Sequence, residues 1–350
     1  MKIVVTGACG FAGSSIISGL LETRAGLKIV PVDNLSRPGS ELNRLVLQKL
    51  GLRLRHLDIR LASDIAALER ADWVIDAAAN PSVLAGVTEG VTSRQVLEHN
   101  LIGTINLLEY CKAHRAGFTL LSTSRVYSIA ELRKLNLTTK DNAFKPTAQK
   151  VRGLTSPGVS EEFSTIPPVS LYGVAKHASE QLALEYGETF GFKVYLNRCG
   201  VLAGAGQFGK ADQGIFAFWI HSYKWKKPLQ YFGFDGRGHQ VRDCLHPRDL
   251  VSVLLKQMSA SKGPTLCNFG GGVRSSMSLR QLSEWCADRF GVHKVGRGRE
   301  KRPFDVPWLV LDSGKAARDW GWRSQTSREA ILEEIAQHAE EHPDWLEMSR

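Results

Sequence analysis

The chain has 350 residues, 43% hydrophobic and 23% charged, with a formal net charge of +10. This is the composition of a folded globular protein, and it excludes a disordered, collagen-like or membrane-embedded chain. No apolar run approaches the ~18 residues that span a bilayer. The N-terminus opens on Lys2-Ile3-Val4-Val5, not on the basic, apolar and cleavable segments of a leader, so a cytoplasmic protein without membrane contact is expected. Lys and Arg are dispersed, with the densest cluster at Lys294–Arg302, which reads either as a solvated loop or as a site near phosphates. No nucleic-acid module is recognisable, and no nucleic-acid partner is expected. The six cysteines form no Cys-x-x-Cys pair, which favours free buried thiols. His99, His177, His239 and His246 lack metal-ligand spacing, and no metal is expected.

In chain order, Lys2–Thr6 reads as a strand and Phe11–Leu21 as a helix. Lys28–Asp33, Leu52–Asp58 and Trp73–Ala79 read as further strands. Val96–His114 carries apolar residues at helical spacing, and Phe118–Thr123 reads as a strand. These strands are near-continuous apolar runs, as expected when helices cover both faces of a parallel sheet. The alternation predicts an α/β, doubly wound (Rossmann) sheet. Ser128–Pro168 looks irregular and too long for a connector, so an insertion folded over the site is expected. Leu171–Phe190 reads as a helix and Lys193–Arg198 as a strand. Beyond Gly200 the order loosens, and a smaller C-terminal substrate-binding lobe is expected. Residues 1–199 would then form mainly the dinucleotide-binding domain. Residues 200–350 would form mainly the lobe, with some chain crossing back. Phe216, Phe218 and Trp219 read as lobe core, and Ser327–His342 as a structural amphipathic helix.

Between the first strand and the first helix lies Thr6-Gly7-Ala8-Cys9-Gly10-Phe11-Ala12-Gly13. Glycine serves where the backbone turns sharply and where it must approach a pyrophosphate, and the helix N-terminus offers free N–H groups. Opening a β-α-β unit, the loop reads as a dinucleotide site built on Gly7, Gly10, Phe11, Ala12 and Gly13. Asp33 ends the second strand, 20 residues after Gly13. Its carboxylate suits ribose hydroxyls and repels a 2′-phosphate, so NAD is favoured over NADP. Arg37 keeps NADP open. Tyr172 and Lys176 share one helix face at a spacing of four, where an ammonium would lower the phenol pKa. Ser122-Thr123-Ser124 ends a strand and can bring a hydroxyl to the same reacting oxygen.

These motifs, in this order, resemble the extended short-chain dehydrogenase/reductases, the sugar-nucleotide epimerase and dehydratase family, over roughly residues 1–325. The resemblance implies catalysis by Tyr172, Lys176 and Thr123, with Lys176 on the nicotinamide ribose. It places Asn34, Ser36, Arg37, Asn100 and Ser122 with the cofactor, Asp58 and Ile59 beside the adenine, and Ala77, Ala78 and Ala79 along the dinucleotide. Within the family, three stretches resemble the CDP-paratose (CDP-tyvelose) 2-epimerase branch: Val32–Arg37, Gly206-Gln207-Phe208 with Asp212-Gln213-Gly214, and Gln240–Asp243 with Leu245-His246. The resemblance then places Arg242 and Arg302 on a pyrophosphate, Asp305 near the nucleoside, and Ser124, Arg125, Asn197, Gln207, Phe208, Gln213 and Gln240 around the substrate. One departure is informative: Ser124-Arg125 stands where sugar 4,6-dehydratases carry Asp-Glu, so dehydration is not expected.

The implied activity is NAD-dependent epimerisation of a nucleotide-diphosphate sugar through a transient keto-sugar, with C2 of a CDP-sugar as the finer expectation. The implied assembly is a homodimer or homotetramer. Two alternatives stay open: a net oxidoreductase or decarboxylase on a nucleotide sugar, and a non-catalytic NAD-binding sensor.

Overall fold

A computed structural model describes every residue except 88, 89, 212, 262, 264, 349 and 350. Among the described residues, seven parallel strands form the central sheet, in the order Leu266–Phe269, Val194–Cys199, Gly117–Thr123, Trp73–Asp76, Lys2–Thr6, Lys28–Asp33, Arg55–His56. Their interior runs are fully buried, as in Gly117–Thr123 and Val194–Cys199, because helices cover both faces. One face packs Ile16, Ile17 and Leu20 against Val251, Leu254, Trp320 and Trp322. The other packs Leu107, Leu108 and Cys111 against Ala183 and Leu196. Strand order reverses beside Lys2–Thr6, and in such sheets ligands bind in the crevice outside the carboxyl ends at that point. Among the described residues no helix is long and apolar enough to cross a membrane.

Several expectations need correction. The strand expected over Leu52–Asp58 is reduced to Arg55–His56 at the sheet edge. The helix expected over Val96–His114 is interrupted: Ser93–Leu97 and Gly103–His114 flank a π-helical turn, Glu98–Ile102. The stretch expected to be irregular, Ser128–Pro168, contains a short helix, Ile129–Arg133, and an antiparallel hairpin, Leu137–Lys140 with Ala143–Pro146. It buries Ile129, Leu132, Val159 and Phe163 against Val306, Trp308 and Leu309, so it is core as well as cover.

Beyond Gly200, Val241–Leu245 pairs with Val201–Leu202, Ser276–Ser278 and Trp308–Leu309. Phe216 and Trp219 of the helix Ile215–Lys224 are buried against Ile331, Leu332 and Ile335 of the helix Arg328–Glu341. The chain returns to the main sheet with Leu266–Phe269, which ties this region to the sheet.

Candidate active site

A single cavity of about 1130 Å³ runs from the first glycine loop to the region beyond Gly200. At one end Gly7 has φ +62°, and a Cβ there would lie 2.8 Å from the Ala77 carbonyl oxygen. A Cβ on Gly13 would lie 2.1 Å from the Gly7 carbonyl oxygen. These glycines let the loop fold tightly onto its own helix and onto the Ala77–Ala79 segment. Gly10 caps the helix Phe11–Thr23 without a side-chain bond, which leaves the first N–H groups for a ligand.

Asp33 closes the second strand. Its carboxylate accepts from the Cys9 and Leu35 backbone N–H groups at 2.9 and 2.8 Å. Burial pushes its pKa up, and those two bonds oppose the shift. Asn34 donates to Asp58 at 3.1 Å. Arg60, which the sequence reading did not single out, also grips Asp58 and holds its carboxyl near 2. Ile59 fits because Gly103 has no Cβ; one would lie 2.5 Å from the Ile59 side chain. Arg37 donates to the Phe208 carbonyl at 2.5 Å, joining the adenosine-side loop to the Gly206–Phe208 loop. Ser36 and Arg37 both border the cavity.

At the centre, the Tyr172 and Thr123 side chains border the cavity together. The same threonine hydroxyl accepts from the Arg125 backbone N–H at 3.1 Å. Ser170 caps the tyrosine helix by accepting from Gly173 N–H at 3.2 Å. Burial pushes the Tyr172 phenol up to about 12, opposed by the neighbouring Thr123 hydroxyl and the Arg125 charge. Helical spacing alone predicts that opposing charge at Lys176. In the structure Lys176 is 1% exposed and does not border the cavity. Burial lowers its pKa, and the carboxylates Asp76 and Glu180 oppose that shift.

Behind this centre is a buried network that local sequence pattern did not reveal. Ser122 donates to Glu180 at 2.5 Å, and Arg198 pairs with Glu180 at 2.6 Å. Arg198 also reaches Tyr127, whose hydroxyl donates to Asn268 at 2.7 Å. Four residues expected at the site do not border the cavity: Gly13, Lys176, Asn100 and Asn197. Asn100, in the π-turn, is buried and holds Asn80 through both backbone groups, at 2.9 and 3.1 Å. It therefore shapes the segment after Ala77–Ala79 from behind. Asn197 is fully buried and pairs reciprocally with Gln257, at 3.1 and 2.8 Å. Its amide is consumed between strand and helix, so the structure does not bring it to a substrate.

The far end is rich in polar groups. Arg242 donates to Asp305 at 3.0 Å and to the Val306 carbonyl at 2.8 Å. Gln240 donates to Asp305 at 3.1 Å, and Arg302 to the Ala211 carbonyl at 3.1 Å. Gln207 donates to the Leu202 carbonyl at 2.7 Å, while Phe208 stacks on Trp345 at 5.3 Å. Ser124, Arg125 and Gln213 border the same space; Asp212 lies outside the described residues. Arg125 Nη1 and the side-chain carbonyl oxygens of Gln207, Gln213 and Gln240 are buried without a hydrogen-bond partner. Unpaired buried polar atoms are costly unless a ligand satisfies them, which marks this end as a polar binding surface.

Comparison with known proteins agrees with this geometry. The model of the NAD dependent epimerase/dehydratase family matches residues 3–270. CDP-paratose 2-epimerase of Salmonella typhi is 29% identical over 93% of this chain and 96% of its own. dTDP-glucose 4,6-dehydratase of an Actinoplanes species is 27% identical over 99% of this chain and 100% of its own. UDP-glucuronic acid 4-epimerase of Bacillus cereus, solved with UDP-glucuronic acid and NAD, shares the fold. Its TM-score is 0.78 at 24% identity, covering 97% of this chain and 99% of its own.

Proposed function

The chain belongs to the NAD dependent epimerase/dehydratase family, and from that premise we propose that it inverts one carbon of a nucleotide-diphosphate sugar through a transient keto-sugar. The finer reading is C2 of a CDP-sugar, supported by the similarity to CDP-paratose 2-epimerase across 96% of that protein. The observation that carries the proposal is that Tyr172 and Thr123 border the same cavity as the glycine loop and Asp33. Neither Ser124 nor Arg125 offers a carboxylate for eliminating water, which argues against dehydration.

The residues present fit NAD, the family's cofactor: a loop that Cβ atoms would fill, an uncapped helix N-terminus, and a carboxylate at the end of the second strand. Gly7, Gly10, Phe11, Ala12 and Gly13 would hold the pyrophosphate. Asp33, with Asn34, Ser36 and Arg37 nearby, would hold the adenosine ribose. Asp58 and Ile59 would flank the adenine, and Ala77–Ala79 would line the path between. When bound, NAD supplies a reversible hydride acceptor for the sugar carbon. Tyr172, as the anion, takes the hydroxyl proton and later returns it. Thr123 would supply a hydroxyl beside the same reacting oxygen. Arg242 and Arg302 would neutralise the sugar nucleotide's diphosphate, a task suited to the forked guanidinium. The Gln207, Gln213 and Gln240 carbonyl oxygens would accept from hydroxyl and amino groups of the nucleotide sugar.

The test is incubation of the purified protein with CDP-, UDP- and dTDP-sugars without added nicotinamide, read by NMR. The proposal expects one substrate to reach an equilibrium of two epimers. Oxidation coupled to stoichiometric consumption of added NAD, or loss of water from the sugar, would overturn it.

A further inference from the structure

The loop Gly206–Phe208 borders the cavity, but a helix that does not border it holds the loop in place. Gln207 and Phe208 line the wall, whereas Trp345, in the helix Trp345–Met348, lies off it. Trp345 is 6% exposed, and its indole Nε1 donates to the Gln207 carbonyl at 3.0 Å. Its ring stacks on Phe208, with centroids 5.3 Å apart and planes 12° apart. Trp345 also packs edge-on against His338 at 4.6 Å, and Lys227 pairs with Glu347 at 3.0 Å. These contacts fix the helix Trp345–Met348 to the lobe.

Phe208 also meets the cofactor end. Arg37 donates to the Phe208 carbonyl at 2.5 Å, and its guanidinium carbon lies 6.0 Å from the Phe208 ring centroid. Two residues on, Gly39 has φ +87°. A Cβ there would lie 2.9 Å from the Phe208 ring and 3.3 Å from the Met348 carbonyl oxygen. The ring and the helix Trp345–Met348 therefore close directly onto the segment after the second strand, where only glycine leaves room. Asn34, Ser36 and Arg37 of that segment border the cavity.

We propose that Trp345 is a positioning residue for the cofactor: acting through Phe208, it holds Arg37 and the Asn34–Arg37 segment closed on the adenosine end of NAD. The proposal rests on reading that segment as the adenosine contact. The stack fixes the Phe208 ring and the indole bond fixes the Gln207 carbonyl, so the Phe208 carbonyl is presented to Arg37 in one place. Without the indole, the ring loses its stacking partner and the Gln207 carbonyl loses its donor. The loop can then shift, and Arg37 loses its acceptor.

The experiment measures NAD release from the NAD-loaded protein, with released NAD trapped by alcohol dehydrogenase and ethanol and read as NADH absorbance. The variants are Arg37→Met, Trp345→Leu, Trp345→Phe and the pair Arg37→Met with Trp345→Leu. A hydrogen bond to a charged group is worth about tenfold or more in an equilibrium, so each of Arg37→Met and Trp345→Leu should speed release by about five- to tenfold. Trp345→Phe keeps a stacking ring and should stay within about threefold of wild type. The pair should release NAD within about twofold of the faster single variant, because the second change removes a link that the first has already broken. Trp225→Leu is the control for mere loosening of the lobe. Its Nε1 donates to the Ala339 carbonyl at 2.9 Å, a bond that does not involve the Gly206–Phe208 loop. It should lower Tm and leave NAD release unchanged. Single effects that multiply in the pair would overturn the proposal, and so would faster release from Trp225→Leu to the same extent as from Trp345→Leu. Wild-type release from Trp345→Leu overturns it with the cofactor reading intact, whereas wild-type release from Arg37→Met removes both. The assay needs no sugar, so failure to find an epimerised substrate would count against the proposed function alone.

Discussion

Gly13→Ala probes the cofactor loop through one methyl group. The new Cβ would sit 2.1 Å from the Gly7 carbonyl oxygen, 2.7 Å from its carbon and 3.1 Å from Ala8 Cα. All three are backbone atoms, so no side chain can rotate aside. The shortest contact lies at least ~1 Å inside van der Waals separation, and overpacking of this kind costs ~1–3 kcal/mol. With ~2.1 cal/mol/K of unfolding entropy per residue over 350 residues, each 1 kcal/mol lowers Tm by about 1.4 °C, so the melt should move only about 1–4 °C. The larger effect should fall on NAD, because relief of the clash displaces Gly7 and Gly10 from the cavity wall. The same 1–3 kcal/mol appears as ~5–150-fold weaker binding. Co-purified NAD, quantified by chromatography, and NAD affinity, measured by calorimetry, read this out. Gly26→Ala is the control. Gly26 has φ +78° with nothing within 4 Å of its Cβ position, so backbone strain should lower Tm slightly and leave NAD binding intact. If Gly13→Ala binds NAD as tightly as wild type, the reading of the loop as a close-approach cofactor cradle is wrong.

Tyr172→Phe should lose ~10²–10⁴-fold in turnover while keeping NAD content and Tm; retained turnover would remove Tyr172 from the chemistry, as an NAD-binding sensor requires. Glu180→Gln leaves Arg198, 2% exposed, without its counter-charge. That should cost ~3–5 kcal/mol, or about 4–7 °C of Tm, and an unchanged melt would refute the network's structural role. His221 and His338 lie 3.3 Å apart, and burial pushes them down to about 3 and 4 from 6.5. Both bind protons more weakly folded than unfolded. Their contribution is therefore complete above pH ~6.5 and is lost as pH falls toward 4, at up to ~1.4 kcal/mol per pH unit for each proton taken up on unfolding. The figure is smaller for His338, which keeps some solvent contact. Tm should fall between pH 7 and pH 5, and His221→Asn should flatten that fall; a melt independent of pH over this range would contradict the assignment.

What could be read from sequence was local. Lys2–Thr6, Lys28–Asp33 and Leu171–Phe190 coincide with their observed bounds, because buried parallel strands and a capped amphipathic helix leave strong short-range signals. The glycine loop was legible for the same reason: its spacing and its place in a β-α-β unit are both local. Long-range pairing was not legible. The family resemblance places Asn197 around the substrate, but its partner is Gln257, 60 residues away. The Lys176 ammonium looked directed at Tyr172 from helical spacing, which does not show that Asp76 and Glu180 surround it. Arg60 was passed over because a charge just after Asp58 reads as ordinary surface. The π-turn at Glu98–Ile102 was hidden because one extra backbone residue barely disturbs an apolar helical pattern.

The most direct test of the central claim uses a nucleotide sugar deuterated at the carbon that inverts, incubated in ordinary water without added nicotinamide. The account predicts that the epimer forms with the deuterium retained on the inverted carbon and with no net reduced nicotinamide. Loss of the deuterium to solvent, or its appearance in stoichiometric reduced nicotinamide, would contradict it.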